Sequence, residues 1–143
     1  MALVTTAGAE TLQVAHFEDV TNTEKTLILG EQHHIYTVLS IVVFGEDVGV
    51  PTLPQRLKFS IVGYDSTAGT SAQYINIVGA VVSSNNTWVW NDKFSFNGYE
   101  PSSNTQAARA AQAGSTAQKL VAQSTTASNK YDVTITYIDQ NNA

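Results

Sequence analysis

The chain has 143 residues, no cysteine, 13% charged residues and a formal net charge of −5. That length suits one domain burying roughly 70% of the surface its unfolded form exposes, and the lack of cysteine excludes disulfides, thiolate metal sites and sulfur redox chemistry. Only seven Lys and Arg are present and none cluster, which excludes the electrostatic footprint of a nucleic-acid binder.

Met1–Glu10 has neither the basic n-region nor the apolar h-region of a secretory signal. It reads as an N-terminal arm. No run approaches the roughly 20 apolar residues of a membrane helix, so a soluble protein synthesised in the cytoplasm, with no membrane partner, is expected. Strands are predicted at Leu12–Phe17 and Lys25–Leu29. Ile35–Phe44 follows and is apolar on both faces, with Ile35, Leu39, Ile41 and Val43 set against Tyr36, Val38, Val42 and Phe44. A strand of that kind in a two-layer protein needs a second cover, from a neighbouring subunit or from the long loops of the same chain. Gly45, Gly49, Pro51 and Pro54 then break the ladder, because proline lacks an N–H and glycine accepts positive φ.

Further strands are predicted at Leu57–Tyr64, Tyr74–Val82, Thr87–Trp90 and Lys93–Phe96, with turn chemistry at Asp65–Gly69 and Ser83–Asn86. Residues 99–116 form an insertion with two readings. Ser103 and Gln106 fit a capping box, Ala107–Ala113 has high helix propensity and Gly114 suits the residue after a C-cap, which gives a short helix over 103–114. The alternative is an extended loop of low complexity. Lys119–Gln123 and Tyr131–Ile138 close the series; in the latter Tyr131, Val133, Ile135 and Tyr137 alternate strictly with Asp132, Thr134 and Thr136. The whole predicts an all-β fold: a single-domain antiparallel β-sandwich over residues 1–143, jelly-roll-like.

Candidate chemistry is sparse. His33 and His34 are adjacent, so on an extended segment they point to opposite faces. Glu31 and His33 can share a face, but two ligands fall short of a zinc site, and His16 is far away in sequence. No nucleophile elbow, zinc helix or phosphate-cradling loop is present, and Glu46-Asp47 and Asp65-Ser66 read as turn chemistry. The sequence therefore assigns no catalytic, cofactor-binding or metal residue and predicts no enzyme. Trp88 and Trp90 lie at i and i+2, on one strand face with Phe94 and Phe96 nearby. They read first as core, then as a subunit interface or a sugar-stacking platform.

Ile35–Phe44, Leu57–Val62, Trp88–Phe96, Lys119–Ser124 and Tyr131–Ile138, in this order, resemble small virion proteins of tailed bacteriophages, over about residues 24 to 139. The resemblance implies a capsid decoration (cement) protein bound to the outer capsid lattice, with the major capsid protein or another virion protein as partner. A tail- or neck-associated accessory role is the near alternative. It also implies a sandwich or jelly roll, commonly trimeric, located in the virion. The insertion at Tyr99–Thr116 departs from the compact pattern, which would turn directly after Gly98; it reads as a contact arm. A carbohydrate- or receptor-binding module is the alternative from another class.

Overall fold

The computed structural model describes residues 8–31, 33–49, 56–65, 70–98 and 117–141. Met1–Ala7 of the expected arm and the insertion at 99–116, with its helix-or-loop alternative, lie outside them. The strands are β1 (Glu10–Val20), β2 (Lys25–Leu29), β3 (His34–Asp47), β4 (Leu57–Asp65), β5 (Thr70–Ala80), β6 (Thr87–Trp90), β7 (Phe94–Asn97), β8 (Lys119–Ser124) and β9 (Lys130–Asn141). Every predicted strand is present, most of them longer at their ends than predicted, and no helix occurs among the described residues.

Two antiparallel sheets form the sandwich. Sheet A has the order β1-β9-β3-β6, with β7 also on β3, and sheet B has the order β2-β8-β4-β5. The pairs β1 with β9, β2 with β8, β3 with β6 and β7, and β4 with β5 are nested. The chain is thus one long hairpin folded at β4–β5 and rolled across both sheets, which is the jelly-roll connection.

Alternation explains the core. Tyr131, Val133, Ile135 and Tyr137 of β9 are fully buried, as the strict period of two requires. They meet Leu57, Phe59 and Ile61 of β4 and Leu120 and Ala122 of β8 in one continuous cluster. Each such aliphatic or aromatic side chain contributes about 1.5–3 kcal/mol on burial.

The expected faces of β3 are corrected by the structure. A β-bulge between Val38 and Ser40 shifts the register against β9, so the alternation changes phase at Leu39. Tyr36, Val38, Ile41 and Val43 are buried inward, while Ile35, Thr37, Val42 and Phe44 line the outer side, partly exposed. The strand looked apolar on both faces because one residue too many sits between its two halves.

At one end of the sandwich three backbones converge. Gly30 N–H donates to the Gln118 carbonyl at 2.8 Å, Gln118 N–H to Gly98 at 2.7 Å, and Gly98 N–H to His34 at 2.8 Å. A Cβ on Gly30 would collide with the Gly98 and Gln118 carbonyl oxygens, so only glycine permits this approach. The junction fixes the entry into β3.

Candidate functional site

Three parts of the molecule bring chemistry-bearing side chains together. The first lies at the β3 entry. His33 takes a left-handed φ of 66°, and the His34 N–H closes a turn onto the Glu31 carbonyl at 3.2 Å. The reversal gives Glu31 His34 as its neighbour, in place of the expected His33. His34 is buried as the first residue of β3 and stands opposite the end of β9. Its Nδ1 lies 2.6 Å from Oδ1 of the buried Asp139, and its Nε2 lies 3.5 Å from Oε2 of Glu31.

The ring also stacks beside Tyr36, which stacks on Phe96 at 5.3 Å between centroids. The Tyr36 hydroxyl accepts the Glu31 N–H at 3.0 Å. Burial pushes the Tyr36 phenol well above its ordinary value of 10, with the Asp139 and Glu31 charges adding to the rise against that hydrogen bond. Burial, then the same two carboxylates, raise Tyr137 as well.

Glu31, His34 and Asp139 have the donor types and spacing of a metal site. Each nitrogen of the His34 ring faces a different carboxylate. The trio reads as a largely buried tie between the Glu31 turn, β3 and β9, carried chiefly by the short His34–Asp139 contact. The sequence signal for it is thin, because Asp139 is 105 residues from His34 and only the β3–β9 register joins them.

The second is an acidic trio, the exposed Asp19 and Glu46 with the half-buried Asp132. Asp19 has a left-handed φ of 54° beside the irregularity in β1, and its N–H donates to Asp132 Oδ1 at 3.3 Å. A hydrogen bond to Asp19, then its charge, raises the Glu46 carboxyl above its usual value. Glu46-Asp47, expected in a turn, instead closes β3.

The third is the outer face of sheet A. Leu12 stands opposite Ile138, Val14 opposite Thr136, and His16 opposite Thr134. These rows continue into Thr37, Ser40 and Val42 of β3, and Val42 continues into Val89 of β6. Leu12, Val14 and Val89 are 65%, 66% and 53% exposed. Hydroxyl pairs fill the gaps: His16 Nδ1 is 2.7 Å from Thr134 Oγ1, and Thr37 Oγ1 is 2.9 Å from Ser95 Oγ. The Leu12 and Val14 rows carry no charged side chain; Glu10 lies at one margin and Glu18 and Asp132 at the other. On its far edge β1 has no ladder partner among the described residues.

Trp88 and Trp90 are placed on the inner side of the same sheet. Trp88 stacks on Phe59 of sheet B with centroids 6.4 Å apart and planes at 10°, and Trp90 packs on Phe94 at 5.4 Å. Both lie against the core. The sugar platform drawn from their i, i+2 spacing is therefore turned inward, and Val89 between them is the residue that faces solvent.

No protein-family model matches this chain, and no curated protein is similar to it at a significant level. Among solved structures, a chain from Bacillus endospore appendages, described as forming a novel family of disulfide-linked pili, is weakly similar: its TM-score is 0.43 at 13% identity, with 100% of both chains covered.

Proposed function

We propose that this chain is a non-enzymatic structural subunit that works by burying the outer face of sheet A against other protein chains. The supporting observation is the row Leu12–Ile138 beside Val14–Thr136: free of charge, with Leu12 and Val14 exposed, and bordered by an edge of β1 that has no ladder partner among the described residues. Monomeric proteins usually protect such an edge with charges, proline or a covering segment, because it offers N–H and C=O groups to another chain. Covering Leu12 and Val14 would contribute about 1.5–3 kcal/mol each.

In the form the sequence resemblance suggests, the assembly is a tailed-phage particle and the chain is a decoration protein, a homotrimer on the outer capsid lattice. A tail or neck position is the alternative within this reading. Contacts made through apolar and hydroxyl groups are little screened by salt, so attachment should survive from about 50 to 200 mM salt, where phosphate contacts lose orders of magnitude. Co-sedimentation with undecorated capsids at both salt concentrations tests the specific form. Attachment lost at the higher salt would contradict it, as would no attachment at either.

A further inference from the structure

We infer that the outer face of sheet B is a binding groove for an acidic oligosaccharide. The groove has a volume of about 470 Å³ and runs across β8, β4 and β5. Its floor is low because Ser60 and Val121 are paired neighbours on the outward side. Lys58, Gln123, Tyr74 and Asn76 stand around them as walls. A second depression shares Lys58 and Asn76 and extends the groove to Arg56 and Gly79.

The free hydrogen-bonding capacity of these walls sets the ligand class. Ser60 Oγ–H donates to Asn76 Oδ1 at 2.9 Å, which aligns the amide and leaves its Nδ2 as a donor. Gln123 Nε2 donates to the Asn22 carbonyl at 2.8 Å, leaving its Oε1 as an acceptor. Tyr74 is 53% exposed, and its hydroxyl is held by Glu24 at 2.6 Å, so the ring is fixed while much of its surface stays open. A fixed aromatic ring beside amide donors and acceptors suits the apolar faces and hydroxyls of a sugar.

The acidic part of the assignment comes from Arg56 and Lys58. They belong to a chain of net charge −5 with seven basic residues, yet neither forms an ion pair with any described residue. Lys58 lies on the outward side of β4, paired with Gly79, and the stem of Arg56, the residue just before the strand, crosses Gly79, where a Cβ would come within 3.1 Å of Arg56 Cδ. The glycine thereby makes room for two cations at one end of the groove. At the other end, Glu24 is offset by Lys119 Nζ at 3.3 Å. A carboxylated sugar can place its carboxylate between Lys58 and Arg56, with charge-assisted hydrogen bonds, while a neighbouring ring lies against Tyr74.

Calorimetric titration of the full chain with tetragalacturonate tests the assignment, with maltotetraose as the neutral counterpart and inorganic phosphate as the free anion. Saturable binding of tetragalacturonate at about 1 mM or tighter is expected, with maltotetraose at least about tenfold weaker and phosphate failing to compete at equal concentration. Lys58→Gln should weaken binding about tenfold and Tyr74→Ala about fivefold, while Tyr74→Phe stays near the parent. Both altered positions are exposed, so unchanged melting curves confirm folding. No saturable binding, equal binding of maltotetraose, equal competition by phosphate, or an unaffected Lys58→Gln variant would each overturn the inference. The titration uses the isolated chain, so its outcome is independent of whether sheet A assembles.

Discussion

The outer faces of the two sheets are built on the same antiparallel scaffold and differ in almost every chemical respect. On sheet A the most exposed apolar side chains are Leu12 and Val14, and the polar groups around them include hydroxyls paired with one another or with His16. On sheet B the small floor residues Ser60 and Val121 are only 5% and 2% exposed, while charged and amide side chains rise around them. On the two proposals made above, the jelly roll separates folding from function. Its inward residues supply the core, which leaves each outward parity free to specialise. Sheet A offers surface that gains by leaving water, as another protein provides. Sheet B offers directed donors and acceptors, as a small polar ligand requires.

The largest expected effect lies beneath both faces. His34→Ala would leave Asp139 buried without its partner, and breaking a buried pair in this way costs about 3–5 kcal/mol. Trp88→Ala removes the indole stacked on Phe59, an aromatic contact that joins the two sheets, and should cost about 3 kcal/mol. Denaturant unfolding measures both. If the faces are independent of the interior, each variant should melt earlier yet keep sugar binding and assembly at low temperature. Loss of one face's activity alone would show that the buried tie serves that face.

Alkaline pH gives the next effect. Tyr36 and Tyr137 hold their protons more tightly when folded than their ordinary value of 10. Their contribution to stability is therefore complete below pH 10 and declines as pH rises above it, toward the folded-state values. Tyrosinate absorbance should show the exposed Tyr74 titrating before unfolding, despite the upward pull of its bond to Glu24, and Tyr36 and Tyr137 titrating only with it. Ionisation of all three in one step below the unfolding pH would contradict the burial argument.

The smallest effect on stability is the most telling for the faces. Leu12→Lys with Val14→Lys alters solvent-facing positions and should change the stability of the isolated subunit by only about 0.5 kcal/mol per site.

Much of this architecture was legible in the residues. The run Tyr131–Tyr137 announces a half-wet strand with no help from the rest of the chain, and glycine, proline and Ser-Asn clusters mark where strands stop. The parity of Trp88 and Trp90 was readable too, but which way that parity faced depended on Phe59 arriving from the other sheet. What could not be read was cross-strand. The phase change at Leu39 exists only in the register against β9. The Glu31, His34 and Asp139 tie needs a positive φ at His33 and the same register. The groove on sheet B needs Lys58, Asn76 and Gln123, from three strands, to reach neighbouring rows. A period of two gives the two faces of a strand, while pairing decides what each face meets.

The central claim is that the outer face of sheet A is an assembly surface. Multi-angle light scattering of the parent chain beside the Leu12→Lys, Val14→Lys variant, at tens of micromolar and with melting curves in parallel, addresses it directly. The account predicts a trimer or larger assembly for the parent and a folded monomer for the variant, with Lys58→Gln assembling like the parent. A parent chain that remains monomeric, or a variant that assembles as the parent does, would contradict it.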